Sequence, residues 1–163
     1  MTPRGRTNQL IYQAELLLEV PAGDDEHAVA RRMACEEGAL ALLELALDAA
    51  LREITEHARL TRHDWRELLI EKDEDNGKAK GDSNDGIAEL ERLRELAAEP
   101  GTWLNVLIVR LEALQSVEGV ARREAGSSLI VAADRIALGD ELRWCLKKFK
   151  ALLLELRETS IEW

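Results

Sequence analysis

The sequence predicts an all-α fold, an irregular bundle of about five helices around a long central helix. Leu, Ala, Glu and Arg recur throughout the 163 residues, aromatic residues make up only 4%, and there are three prolines, a composition typical of helical proteins. Leucines repeat at steps of three and four residues, which places them on one helix face. A chain of this length can bury its apolar surface around one core, so we expect a single domain over residues 1–163.

A break at residues 21–23 separates the first two predicted helices. Thr7 or Asn8 is expected to cap the first helix, and Asp24 or Asp25 the second, which continues to about residue 60. One side of the second helix carries Leu40, Leu43, Leu47, Leu51 and Ile54, and the opposite side carries Leu42 and Leu45. A helix that is apolar on two sides is expected at the centre of a bundle or at an oligomer interface.

The second half of the chain predicts further helices separated by polar segments. A short helix is expected at residues 63–71 around Trp65, followed by a mobile acidic loop at residues 72–84, which contain almost no apolar side chain. Helices are then expected at residues 85–98 and, capped by Thr102, at 103–116. The conformation of residues 117–138 is left open, because glycines favour a loop there and residues 129–131 are apolar. The final helix begins near Gly139 and has the clearest amphipathic pattern in the chain.

Tryptophan is overrepresented among the few aromatic residues, with four Trp against one Phe and one Tyr. Trp65 and Trp103 each open a helical pattern, and we expect both to anchor the core. Trp163 is expected to be either a packing residue or an exposed interface residue.

The charge pattern argues against nucleic acid and membrane partners. The formal net charge is −10, and the excess of acid lies in residues 24–100. Such a field repels phosphate groups, and the basic runs are no longer than two residues. We therefore expect no nucleic acid partner by default and no membrane partner. A protein surface that normally contacts DNA would be compatible with this charge, so an acidic decoy of a DNA-binding protein is one alternative function.

The sequence predicts a cytoplasmic protein without a structural disulfide. The longest apolar segment, residues 39–51, is interrupted by two acids and is shorter than the roughly 20 residues that span a bilayer. The first residues lack the features of a signal peptide. Cys35 and Cys145 lie in helical patterns, where a lone thiol usually acts as a small buried hydrophobe.

Arg52 and His57 form the pattern that favours catalysis most. Their Arg-x4-His spacing is the one by which helical ribonucleases place a cation and a proton-transfer group on one side of a helix. The spacing also arises often by chance in helical proteins, and general acid–base catalysis needs a histidine with a pKa near 7 in a cleft. A helical ribonuclease that uses Arg52 and His57 is therefore kept as an alternative function, beside the interpretation of both residues as a solvated surface pair.

No metal or cofactor is predicted. Glu53 and His57 are four residues apart, and Asp24, Glu26 and His27 cluster before a helix, but the Glu-x-x-His motifs of helical dimetal sites are absent from the sequence. The two cysteines are 110 positions apart and offer no zinc-ligand pair. The sequence also lacks the Gly-x-Ser-x-Gly, phosphate-loop and Gly-x-Gly-x-x-Gly motifs.

Three short motifs resemble an uncharacterised family of small bacterial cytoplasmic proteins: residues 6–14, residues 96–104 and residues 161–163. The resemblance covers most of the chain but not residues 72–84 or 117–138. It implies an all-helical fold and carries no established activity, so it assigns no functional residue.

The leading hypothesis for function is a non-enzymatic protein-interaction or regulatory protein. It follows from the two-sided apolar helix together with the missing catalytic motifs. The partner is expected to be a protein, with a homodimer as one arrangement, and the contact is expected to use an apolar strip on the second or fourth helix.

Overall fold

The computed structural model describes residues 1–56, 64–70, 87–117, 119–120 and 137–159. It contains the helices α1 (Pro3–Glu19), α2 (Ala28–Thr55), α3 (Ala88–Ala98), α4 (Trp103–Leu114) and α5 (Leu138–Thr159), with a π-helical turn at Arg66–Ile70 before α3. The described ranges contain no β-strand, and the all-α prediction is confirmed. The predicted loop at residues 72–84, Trp163 and most of residues 117–138 lie outside these ranges.

The first helix begins earlier than predicted, and both predicted caps are wrong. Thr2 is the N-cap, because its hydroxyl accepts the Gly5 N–H at 3.1 Å and Pro3 occupies the first turn. Thr7 instead lies inside α1, where it is buried and its hydroxyl donates to the Pro3 carbonyl at 3.1 Å. Asn8 also lies within α1. A proline at the start of a helix is therefore the signal that the sequence interpretation missed.

The second helix also begins differently from the prediction. His27 occupies the N-cap position of α2, and Asp25 accepts the His27 N–H at 2.9 Å just before the helix. Asp24 and Asp25 thus precede the cap, and Asp25 orders the turn. The α-helix ends at Thr55, and residues 57–60 of the predicted continuation lie outside the described part.

The junction between α3 and α4 follows the prediction closely. The α3 helix begins at Ala88, three residues later than expected, and it ends before Pro100. The Thr102 hydroxyl accepts the Asn105 N–H at 3.2 Å, so the predicted cap of α4 is confirmed. Gly101 has a φ of +84°, in the left-handed region that favours glycine, and lets the chain turn between the two helices.

The long helix α2 occupies the centre of the fold. It packs against α1, α3, α4 and α5, and its buried leucines join those of the other helices in one apolar core. Trp65 and Trp103 are both buried, as predicted, and the Trp103 ring stacks on that of Phe149 with centroids 5.2 Å apart. The described helices include no segment both long and apolar enough to cross a bilayer.

Candidate functional site

Of the predicted catalytic pair, the structure describes Arg52 alone. Arg52 is exposed in the last turn of α2, whereas His57 falls at the start of residues 57–63, outside the described part. Glu53, considered with His57 as a metal pair, forms a bidentate ion pair with Arg157 and accepts a hydrogen bond on each carboxylate oxygen. The ribonuclease hypothesis therefore stays a prediction.

The cluster before α2 is engaged in surface ion pairs. His27 Nε2 lies 3.4 Å from a carboxylate oxygen of Glu26, with both side chains exposed, and Asp25 pairs with Arg31 at 3.0 Å. Among the described residues, no group of three or more His, Cys, Asp or Glu side chains could hold a metal ion.

Cys145 is a buried thiol on the inner side of α5. Its Sγ donates to the Trp103 carbonyl at 3.5 Å. Burial, reinforced by the nearby Glu141 carboxylate, raises the pKa of the Cys145 thiol to about 12. Because the thiolate is the nucleophilic form, this residue is suited to packing and not to covalent chemistry at neutral pH.

Glu44 on α2 collects three hydrogen bonds and forms what we term the Glu44 cluster, made of Glu44, Asp48, Trp65, Arg66 and Gln115. One oxygen of Glu44 accepts from Trp65 Nε1 and Arg66 Nη2, both at 3.1 Å, and from Gln115 Nε2 at 3.2 Å. Asp48 accepts the Trp65 backbone N–H at 3.2 Å. The Arg66 guanidinium lies 4.1 Å from the centroid of the Trp65 ring. These contacts fasten the π-helical turn and the end of α4 to the central helix.

Asp48 is the carboxyl whose ionisation this arrangement perturbs most clearly. Burial raises the pKa of Asp48 to about 6 from its ordinary 3.8, and the negative charges of Asp64 and Glu44 add to the rise. The Trp65 N–H opposes it by stabilising the carboxylate. A perturbed carboxyl can signal an active site, but here the groups around it already bind one another, so we interpret the cluster as structural.

Replacing Asp48 with asparagine is expected to stabilise the protein at neutral pH. Between about pH 4 and 6 the folded state holds a proton on Asp48 that the unfolded chain releases, so this group favours folding at low pH and disfavours it above pH 6. Asparagine keeps an oxygen that can accept the Trp65 N–H and removes the charge. After allowing for solvent screening of this half-buried group, we expect a gain of about 1 kcal/mol at pH 7.

Thermal unfolding at a series of pH values checks this prediction, with Asp140→Asn, an exposed acid on α5, as the control. The gain should shrink as pH falls from 7 to 4. An equal gain at both ends of that range would show that burial of the Asp48 charge is not its cause.

Two cavities lie beside α5, and neither brings together groups for catalysis. A cavity of about 300 Å³ is lined by Glu53, Ile54, Glu56, Glu89, Leu153, Leu156 and Arg157. A second, of about 240 Å³ between α1 and α5, is lined by Glu15, Leu18, Glu19, Arg143, Leu146, Lys147 and Lys150. In the first cavity, Arg157 donates hydrogen bonds to Glu53 and Asn8. In the second cavity, Lys150 pairs with Glu15 at 2.8 Å.

The exposed side of α1 carries three large apolar residues in a line. Tyr12 and Leu16 are four residues apart on neighbouring turns of α1, and Val20, four residues further on, is the C-cap that directly follows the helix. Buried residues occupy the opposite side, including Leu10, Ala14 and Leu18. The helix is therefore apolar on both sides, although only one of them packs against the bundle.

The neighbouring helix α5 extends this apolar surface. Lys150 contacts Glu15 and Arg157 contacts Asn8, so α5 runs antiparallel to α1 with residues 150 and 157 beside residues 15 and 8. Leu154 lies between these two cations in the sequence and is therefore level with the turn of α1 that contains Ile11 and Tyr12. Both side chains are more than half exposed, Tyr12 at 60% and Leu154 at 59%.

The helix α2 contributes Leu45 on the other flank. Gly38 of α2 packs against Leu17, since a Cβ added at Gly38 would lie 3.1 Å from a methyl group of Leu17. Leu45 is two helical turns from Gly38 at nearly the same angle around the α2 axis, so it borders the seam between α1 and α2. Its exposed fraction is 49%. We use the term α1 face for the surface made by Tyr12, Leu16, Val20, Leu45 and Leu154.

The sequence predicts an apolar contact strip on the second or fourth helix. The structure has Val29 and Leu45 exposed on α2 and Val109 on α4, but the regular four-residue line of exposed apolar side chains follows α1. The repeat of Tyr12, Leu16 and Val20 is the sequence signal that could have identified this surface. Their exposure, however, depends on where α2 and α5 pack.

Comparison with known proteins gives a family and no activity. No curated protein and no solved structure matches the chain. The family model described as "Family of unknown function (DUF6586)" matches residues 1–163, and the chain belongs to this family.

Proposed function

We propose that this chain is a non-enzymatic protein-interaction or regulatory protein that binds its partner through the α1 face. The observation that carries the proposal is the exposure of five large apolar side chains: three along α1 and its C-cap, and one on each of the adjacent helices α2 and α5. Isolated exposed leucines are ordinary on protein surfaces, whereas grouped ones are typical of binding sites.

The composition of the α1 face supports a protein as the partner. Tyr12 offers a rigid ring with a hydroxyl that can stay hydrogen-bonded when the ring is covered, which makes tyrosine frequent at the energetic centre of interfaces. Leu16 and Leu45 are close to half exposed and would lose that remaining water contact on binding. Apolar burial of this kind stabilises a complex by about 25 cal/mol per Å² before the cost of association.

The proposal includes a location in the bacterial cytoplasm. Cys35 and Cys145 are free thiols, which fits a reducing compartment. The resemblance of residues 6–14 and 96–104 to small bacterial cytoplasmic proteins points the same way.

A charge placed at the centre of the α1 face is expected to remove the interaction. Leu16→Glu changes a side chain that is already 44% exposed, so the fold should tolerate it while a dry interface should not. The matched control is Val109→Glu on α4, where the valine is also 44% exposed and α4 packs against α2, α3 and α5.

The measurement is quantitative mass spectrometry of proteins that co-purify with each tagged variant from the native host. We expect Leu16→Glu to lose at least about tenfold of a specific partner that wild type and Val109→Glu retain. Retention of every partner by Leu16→Glu would contradict the proposal.

A further inference from the structure

We infer that the partner of the α1 face is a second copy of this chain, bound with the two α1 helices antiparallel across a two-fold axis near Leu16. This inference rests on the proposed function, because it names the occupant of the same surface. Two features of the structure lead to it: the position of Leu16 within the apolar line, and the distribution of charge along α1.

Leu16 is at the middle of the line that Tyr12 and Val20 complete. In a two-fold contact the same patch lies on both chains, so a residue on the axis meets its own copy. With the axis at Leu16, Tyr12 of one chain is level with Val20 of the other. Every large side chain of α1 that is exposed along this line therefore meets an apolar counterpart.

The charges at the two ends of α1 are opposite in sign, and Glu15, which lies beside Leu16, is already paired with Lys150 at 2.8 Å. Arg4 and Arg6 are exposed in the first turns of α1, with Arg6 about 15 Å from Leu16 along the helix axis. The segment that follows α1 carries Asp24, Asp25 and Glu26, all exposed. An antiparallel pair places the basic end of each helix beside the acidic segment of its partner.

A parallel pair would have the opposite electrostatic consequence. It would bring Arg4 and Arg6 of the two chains together, and likewise the two acidic segments, which costs free energy through like-charge repulsion. Asp25 already pairs with the Arg31 guanidinium at 3.0 Å, whereas among the ion pairs of the described residues Glu26 contacts only the exposed His27 imidazole, at 3.4 Å. Asp24 and Glu26 are therefore the acids most able to attract Arg4 and Arg6 of a second chain.

The test is a charge exchange followed by sedimentation velocity. One variant carries Arg4→Glu and Arg6→Glu, and the other carries Asp24→Lys and Glu26→Lys. Each alone places like charges at both ends of the contact, so both should dimerise at least about tenfold more weakly than wild type at low salt. An equimolar mixture should restore the dimer, because each basic end then meets an acidic end in the heterodimer.

In the same experiment, Leu16→Glu tests the apolar contact between the two chains. Because the two copies of residue 16 meet near the axis, we expect the dimer dissociation constant to rise at least about thirtyfold. Circular dichroism of every variant checks that the helices are retained, and Val109→Glu should dimerise like wild type.

Each result bears on the inference separately from the proposed function. Wild type that remains monomeric up to about 100 µM overturns the homodimer, and a mixture that fails to restore dimerisation overturns the antiparallel arrangement. Neither result contradicts the proposed function, which fails if Leu16→Glu retains every protein that co-purifies with wild type. Weakening by each variant with recovery in the mixture supports the inference.

Discussion

Replacing Trp65 with alanine is expected to lower the free energy of unfolding by about 3–5 kcal/mol, the usual range for a buried tryptophan or phenylalanine. The Trp65 side chain is 0% exposed. Its loss would open a large cavity and would also remove the indole N–H that donates to Glu44 at 3.1 Å. Urea denaturation followed by circular dichroism at 222 nm, a wavelength that reports helix content, measures the change.

Trp144→Ala is the matched control for this substitution. Trp144 is 38% exposed on α5, so its removal should cost less than about 1 kcal/mol. Trp65→Phe separates the contribution of core packing from that of the indole N–H, because it keeps most of the ring volume and removes the N–H donor. If Trp65→Ala and Trp144→Ala were equally destabilising, the assignment of Trp65 as the anchor of the π-helical turn would be wrong.

Removing the Arg157 side chain is expected to have the second largest effect, a loss of about 2–4 kcal/mol for Arg157→Ala. Arg157 Nε and Nη2 donate to the two oxygens of Glu53 at 2.7 and 3.0 Å, and its third nitrogen donates to Asn8 at 3.0 Å. The side chains of Arg157 and Glu53 are only 14% and 16% exposed. Without the arginine, Glu53 would keep a poorly solvated charge and would lose both hydrogen bonds from the guanidinium.

A double-mutant cycle tests whether the pair acts as a unit. Glu53→Gln combined with Arg157→Met should recover part of the loss, because neither remaining side chain is charged. The comparison pair is Arg92 with Glu155, which is 52% and 54% exposed and should contribute less than about 1 kcal/mol. Additive effects of the two substitutions in the Glu53 and Arg157 cycle would contradict the coupling that we infer.

The helical pattern could be predicted from the sequence because it depends on local spacing. Leu40, Leu43 and Leu47 recur at steps of three and four, and all three are buried on α2. The N-cap of α4 could be predicted for the same reason, since Thr102 directly precedes an apolar run. The start of α1 was harder to place, because Thr2 and Thr7 are both chemically able to cap a helix. Pro3, between them, favours the earlier one.

The contacts between helices could not be predicted in the same way, because they join distant residues. In the sequence Glu44 only interrupts an apolar run, whereas in the fold it accepts hydrogen bonds from Trp65, Arg66 and Gln115. The exposure of Tyr12 and Leu154 depends on how α5 lies along α1, a register that is visible only in long-range contacts such as Lys150 with Glu15 and Arg157 with Asn8. Periodicity alone shows that α1 is apolar on two sides and does not say which side remains in water.

Photocrosslinking in living host cells tests the central claim, that the α1 face contacts another protein, most directly. A photoreactive benzoylphenylalanine would replace Leu16 in one variant and Val109 in another. We predict covalent adducts with a second protein chain from position 16, either this chain or a different one, and no matching adduct from position 109. Absence of any adduct from position 16, or the same adducts from both positions, would contradict the claim.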